Sequence, residues 1–255
     1  MGVQHLESLR QFEVERVKDW LRPGMRVLEI GGGHGFQASI IASWGCDVVS
    51  IDIGTVPPRE IQRYPVQQYD GKKIPFPNHL FDIVFSSNVL EHVKDLESLL
   101  GESRRVLSGG GMAIHILPSP SWRVWTSLAH YVYVASRVIG KSLPVSGGVV
   151  PSVSEKIQHR GLWYVIARSL MAGPHGEYPS ALSEMYYFSK YRWKNVFHVA
   201  GFEIVRTLTS GLFYTGYALL PTLSLESRKK IAKVFGSATY IYILRPQVPN
   251  SSQSG

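Results

Sequence analysis

Apolar residues recur at Leu6, Leu9, Phe12, Val14, Val17 and Leu21 with charged side chains between them, a spacing that predicts an amphipathic helix. Arg22-Pro23-Gly24 breaks it. Residues 25–30 (MRVLEI) then form a short apolar run rich in β-formers, which predicts a buried strand. Four of the next six residues are glycine. After them Phe36, Ile40 and Trp44 fall at i, i+4 and i+8, one face of a second helix, and residues 47–52 (DVVSID) read as a second strand. Strand, glycine loop, helix and strand within roughly 30 residues make one parallel crossover unit.

The alternation continues with a short strand at 66–69, a fourth at 81–86 (FDIVFS), and a helix spaced by Leu96, Leu99, Leu100, Ser103 and Val106. Gly109-Gly110-Gly111 is expected to close that helix before a fifth strand at 112–117 (MAIHIL), and 201–205 and 239–244 read as two more strands. The pattern predicts an α/β fold with a doubly wound sheet. Between Pro118 and about Lys190 the rhythm fails, and Trp122, Trp125, Tyr131, Tyr133, Trp163, Tyr164, Tyr178, Tyr186 and Tyr187 appear among Arg and Lys. So long an interruption carries structure or function of its own. The expected organisation is a cofactor-binding core at 1–118, a cap inserted at 119–190, completion of the sheet by 191–245, and a frayed tail at 246–255.

Charge changes the picture at the same point. The net charge of +8 hides 12 Lys/Arg against 14 Asp/Glu in residues 1–118, and 15 against 5 in residues 119–255. That asymmetry suggests an anionic partner. The single cysteine, Cys46, excludes an internal disulfide framework and any cysteine-rich metal or cluster site. The charged N-terminus has no apolar signal segment, so a cytoplasmic protein is expected.

The glycine loop is where chemistry enters. Gly33-His34-Gly35-Phe36-Gln37-Ala38 can be aligned with a dinucleotide fingerprint, in which loop amides and a helix N-terminus cradle a pyrophosphate. Glu29, four residues earlier at the strand's end, would then stand close to a doubly anionic group. S-adenosylmethionine reverses the sign, because it brings an α-ammonium and a sulfonium and no phosphate. Glu29-x-Gly31-x-Gly33-x-Gly35 resembles the first motif of class I S-adenosylmethionine-dependent methyltransferases, and the elements after it keep that family's order. Asp52 ends the second strand. Asp70-Gly71-Lys-Lys-Ile-Pro-Phe-Pro77, Phe81-Asp82-Ile-Val84 and Asn88-Val-Leu-Glu91-His92-Val93 follow, and the series is similar to the small-molecule, ubiquinone/menaquinone-type subfamily. The resemblance covers residues 25–118 well, 195–245 loosely, and the insert not at all.

It implies a Rossmann-like sheet of seven strands, mostly parallel with the last antiparallel; the helical cap insertion is expected from the interrupted rhythm alone. It implies S-adenosyl-L-methionine as cofactor, with Glu29, Gly31, Gly33 and Gly35 at the methionine part. Asp52 would bind the ribose, Ile53 would pack on adenine, and Asp70 beside Gly71 would accept from the adenine amino group. Asn88 would lie at the sulfonium end. Local readings compete: Asp70 can be a turn residue before Gly71, and His115 a hydrogen-bonded core histidine.

A hydroxyl acceptor needs a base of near-neutral pKa, which makes histidine the default. His92 follows the fourth strand at the sheet's carboxyl edge, and His175 sits between glycines in the insert. No metal is called for. The uncharged run 124–136, held between Arg123 and Arg137 with Lys141 beyond, is too short to span a bilayer and suits either an interfacial helix or a cap helix that buries these faces. In the first case Trp122 and Arg123 would lie at headgroup depth. Residues 161–171 have the same character. The expected acceptor is a small-molecule or lipid- or glycan-linked anion methylated at oxygen, with an anionic membrane surface as a further partner. The alternatives are an RNA methyltransferase, for which no nucleic-acid-binding module is recognisable, and a catalytically inactive cofactor-binding partner subunit. No oligomeric state follows from the pattern.

Overall fold

The protein is described by a computed structural model covering residues 3–54, 57–138, 175, 180–216 and 223–247. Trp163, Tyr164, Tyr178, Lys141, the 161–171 stretch, the glycines flanking His175, the side chain of Arg137 and nearly all of the expected tail lie outside these residues. The chain divides into two compact units: one of Leu9–Leu117, Lys190–Ser210 and Tyr240–Gly255, the other of Met1–Ser8, Pro118–Ser189 and Gly211–Thr239.

The first unit holds a seven-stranded sheet. Its strands are β1 (Arg26–Ile30), β2 (Asp47–Ile53), β3 (Val66–Tyr69), β4 (Phe81–Ser87), β5 (Leu107–Pro118), β6 (Phe202–Thr209) and β7 (Thr239–Pro246), in the order β3-β2-β1-β4-β5-β7-β6. Strands β1 to β5 pair in parallel, and β7 runs antiparallel to β6. This is the doubly wound sheet that the alternation predicts, with the glycine-loop strand at its centre. Its central strands read as continuous apolar runs because they are buried on both faces.

Alternation along the strands sorts the core into two layers. Leu28, Ile30, Ile51, Val84, Leu117, Tyr242 and Leu244 pack on one face, under α3 (Leu96–Val106) and under Trp193 and Phe197 of a later helix. Val27, Val48, Ile83, Phe85, Ile114, Ile116, Ile241 and Ile243 pack on the other, with Val14, Val17, Ala38 and Ile41. The last four come from α1 (Val3–Glu15), the turn after it, and α2 (Phe36–Ser43). The first helix is shorter than its apolar spacing suggests: it ends at Glu15, and Lys18–Trp20 continues as a 3-10 turn.

One boundary differs in kind. Gly109-Gly110-Gly111 does not close a helix; β5 begins at Leu107 and runs through the glycines. Phe81 pairs with Leu107 while Ile83 pairs with Met112, so residues 108–111, the three glycines among them, bulge out opposite the single residue Asp82 of β4.

The second unit is helical among its described residues. It contains α4 (Pro120–Val138), α5 (Ala181–Tyr187) and, between β6 and β7, α7 (Leu225–Phe235); α6 (Lys190–Val199) belongs to the sheet unit. Here the expectation for Trp122 and Arg123 fails. Both are buried, at 7 % and 2 % exposure. Arg123 points inward because Glu184 of α5, itself fully buried, lies 3.2 Å from its Nη1. Trp122 packs against the rings of Phe188 and His175. No helix among the described residues is long and apolar enough to cross a membrane.

Candidate active site at the glycine loop

Glu29 sits one residue before the carboxyl end of β1, opposite Ser50 of β2. Its carboxylate is 2 % exposed and accepts the Ser50 hydroxyl at 2.6 Å. Gly32 lies directly over the pair: a Cβ there would overlap Ser50 Oγ and stand 2.9 Å from Glu29 Oε2. The acid is thus sealed beneath the loop, and its charge acts across a bare backbone. Burial pushes its pKa up to about 7; the Ser50 hydrogen bond opposes that rise and the nearby Asp52 charge adds to it.

The sign of the consequence follows. Above its unfolded value the folded state keeps Glu29 protonated, so its favourable contribution is complete below about pH 4.5 and is lost as pH rises through about 7. At 1.36 kcal/mol per pH unit this is at most roughly 3 kcal/mol. Thermal melts of the ligand-free protein should therefore show Glu29→Gln losing less stability than wild type between pH 5 and 8. Parallel pH profiles would mean that Glu29 does not titrate there.

The rest of the loop is clamped on two sides. Gly31 has φ +79°, and a Cβ on it would collide with the Val89 side chain. Gly35, at φ +75°, caps the N-terminus of α2, where a Cβ would collide with the Tyr64 backbone. Only glycine combines that conformation with that approach. Gly33 faces open space, and its amide donates to Asp52 Oδ2 at 2.7 Å. The other Asp52 oxygen accepts the Ile53 amide at 2.7 Å, which fixes the carboxylate at the tip of β2.

Ile53 is 61 % exposed, unusual for a large aliphatic side chain at a strand end. Gly71 leaves room for it, since a Cβ there would be 3.0 Å from Ile53 Cγ2. Asp70, the residue before, is exposed and accepts the amides of Lys72 and Lys73 with Oδ1 at 2.8 and 3.0 Å, a turn geometry that holds its pKa low. The loop behind it is anchored to α3. Glu102 takes the Ile74 amide, and Arg105 donates to the carbonyls of Ile74 and Phe76 and to Asn78 Oδ1.

Asn88, after β4, is a non-glycine residue at φ +55°, held by a 2.8 Å bond from its amide to the Ile116 carbonyl. Such backbone costs on the order of 1–3 kcal/mol and clusters at functional sites. His92 closes the 3-10 turn Leu90–His92, its side chain 43 % exposed and its Nε2 3.9 Å from Oε1 of the buried Glu91. His175 belongs to the helical unit, where its amide donates to Glu184 at 2.6 Å and its ring meets Trp122. His115 is a core residue: fully buried, bonded through Nδ1 to Ser86, with its pKa pushed down to about 3 by burial.

The sheet unit therefore gathers Glu29, the glycines, Asp52, Ile53, Asp70, Gly71, Asn88 and His92 around the carboxyl ends of β1 to β4, where open α/β sheets bind ligands. Residue pattern alone did not single out Ser50, Tyr64 or Val89. A serine inside the apolar run of β2 was the one available signal, and its meaning depends on the register with Glu29. A bare loop over a buried acid, a second acid on the adjacent strand tip and an exposed aliphatic beyond it suit a ligand with a cationic end, hydroxyls and a flat apolar group.

Comparisons with known proteins agree with that geometry. The family model for a methyltransferase domain matches residues 5–207. An uncharacterized methyltransferase from Mycobacterium sp. (strain KMS) is 34 % identical over 124 residues, covering 43 % of this chain and 46 % of that protein. The ubiquinone/menaquinone biosynthesis C-methyltransferase UbiE of Cupriavidus taiwanensis is 32 % identical over 114 residues, covering 40 % and 47 %. The chain thus spans less than half the length of these curated relatives. Among solved structures, a chain of the complex between the Haloferax volcanii Trm112 methyltransferase activator and a methyltransferase superposes with a TM-score of 0.55 at 11 % identity. That match covers 96 % of this chain and 92 % of the other. The [4+2]-cyclase SpnF superposes with a TM-score of 0.50 at 15 % identity, covering 95 % and 81 %. At such identities these two structures speak to the fold alone.

Proposed function

The chain belongs to the methyltransferase domain family, and on that premise we propose that it transfers a methyl group from S-adenosyl-L-methionine to an oxygen of a small-molecule or lipid- or glycan-linked acceptor. The observation that carries the donor is the stack of Gly32 on Ser50 and Glu29, with the Gly33 amide held by Asp52. Two acids beside a bare loop favour a cationic amino-acid end and repel a pyrophosphate. When bound, the cofactor supplies an electrophilic methyl group on a sulfonium leaving group.

The chain's own residues then bind and orient. Glu29 provides negative charge beneath the loop for the α-ammonium, which in turn favours its ionised form. Asp52 accepts from the ribose hydroxyls while keeping Gly33 in place. Ile53 offers the adenine an apolar bed beside Gly71, Asp70 accepts from its amino group, and Asn88 lies at the sulfonium end. With reacting atoms held in line, positioning supplies much of the acceleration. His92 Nε2 takes the acceptor's hydroxyl proton, and the neighbouring Glu91 carboxylate stabilises the imidazolium that forms. His175 is the other candidate for that proton, and a carboxylate acceptor needs no base. The positive balance of residues 119–255 and the aromatic content of the insert favour an acceptor with both an apolar and an anionic part. UbiE, to which part of the chain is similar, is named for methylation at carbon in ubiquinone/menaquinone biosynthesis, which makes carbon the rival acceptor atom.

The deciding experiment incubates the purified protein with cell lysate and methyl-labelled donor, then identifies the labelled product. Asp52→Ala should weaken S-adenosylhomocysteine binding by roughly 1.5–3 kcal/mol, since charge-assisted hydrogen bonds are lost. Calorimetry showing tight NADH binding and no S-adenosylhomocysteine binding would overturn the donor. Cofactor binding without any transfer of label would leave only an inactive, cofactor-binding subunit.

A further inference from the structure

Helix α4 separates its residues sharply into two sides. Trp122, Arg123, Thr126, Ala129 and His130 are all less than a tenth exposed. Leu128, Tyr131 and Val132 are 49, 50 and 53 % exposed, and Ala135 is exposed one turn on. These positions step by three and four and so share one face. A helix face turned to water ordinarily carries charge. This one carries none.

Trp125 starts the same face and joins it to α7. Its ring meets Phe235 edge-on at 4.8 Å, and its Nε1 donates to the Phe235 carbonyl at 2.9 Å. Next to that contact Val234 is 78 % and Phe235 46 % exposed, with Lys230 and Lys233 exposed on the same helix. Lys229 is engaged by Glu226 at 2.6 Å and Lys230 acts on the same carboxylate through its charge, whereas Lys233 makes no ion pair among the described residues. All of these residues belong to the helical unit. An uncharged strip with aromatic residues along it thus ends at a short cationic border.

We propose that this face, formed by Leu128, Tyr131 and Val132 of α4 with Lys233, Val234 and Phe235 of α7, rests on the surface of an anionic bilayer. The aliphatic and aromatic side chains enter the boundary between headgroups and acyl chains, and the lysines meet lipid phosphates. Charge selects this occupant: a surface that is apolar along its length and positive at its end matches a layer that is apolar within and negative at its rim. The contact lies in the plane of the interface. Trp122 and Arg123 have no part in it, since they face the interior. The inference goes beyond methyl transfer and does not depend on it.

The test is sedimentation of the full chain with vesicles of phosphatidylserine and phosphatidylcholine, against phosphatidylcholine alone. Wild type should pellet with the mixed vesicles only, and salt should release it. Leu128→Ser with Val132→Ser, and separately Lys230→Glu with Lys233→Glu, should each lower vesicle affinity about tenfold or more. Both pairs lie on the surface, so circular dichroism and S-adenosylhomocysteine affinity should be unchanged. Retention of wild type in the supernatant with both vesicle types at low salt would overturn the proposal. So would vesicle binding by Leu128→Ser/Val132→Ser equal to wild type. A dimer that forms without lipid and is dissociated by the same pair would assign the face to a second copy instead.

Discussion

Gly35→Ala should abolish measurable S-adenosylhomocysteine binding, a loss of at least about 100-fold, or roughly 2.7 kcal/mol. Three features combine at this residue. Its φ of +75° is strained for any side chain, it starts α2, and a Cβ would collide with the backbone of Tyr64. Tyr64 has little freedom to withdraw. Its hydroxyl is bonded to the Val48 carbonyl at 2.8 Å, and the preceding Arg63 amide donates to the His34 carbonyl at 2.7 Å. Relief therefore requires the loop to lift away, carrying Gly33 from Asp52. Gly33→Ala is the control, because it keeps a positive φ but meets no protein atom within 4 Å. It should fold with only the backbone penalty of about 1–2 kcal/mol. Calorimetric titration of both variants separates protein packing from ligand contact. If Gly35→Ala binds within about threefold of wild type, the loop is not the cofactor seat.

Arg123→Ala should cost about 3–5 kcal/mol of stability, the usual consequence of leaving one charge of a buried pair behind. Glu184 is fully buried and takes both the Arg123 guanidinium and the His175 amide. Removing Arg123 strands that carboxylate between α4 and α5. The double variant Arg123→Met with Glu184→Leu should lose less than the single one, since no charge then stays desolvated. Urea denaturation followed by Trp fluorescence would measure both. Additive losses in the double variant would argue against a coupled pair.

The same ion pair marks where reading the chain from its pattern stops. Strands β1, β2 and β4 were legible because they are short, apolar and β-branched, and the glycines after β1 announce the turn. Glu29, Asp52 and Asn88 could be named in advance because the motifs that hold them, each at a strand end, resemble those of a known family. Arg123 could not, because charged side chains are ordinarily exposed and its partner lies far along the chain. The glycines at 109–111 misled for a different reason. Glycine ends helices and also occupies bulges, and only the pairing of Phe81 with Leu107 distinguishes the two. Ser50 is similar: its hydroxyl gains a role only once β1 and β2 are in register.

The packing beneath Gly32 also bears on how this loop can change over generations. Gly32 has no positive φ; what excludes a side chain there is Ser50 Oγ and the Glu29 carboxylate. A larger residue at 32 is admissible once Ser50 has shortened and the Glu29 carboxylate has moved aside, and shortening Ser50 removes a side-chain donor to that carboxylate. Residues 29, 32 and 50, on two strands and a loop, are thereby bound into one unit of inheritance. A side chain at 32 requires a matching change at 50. Gly35 has no such escape, because the obstacle there is main chain, which no substitution can trim.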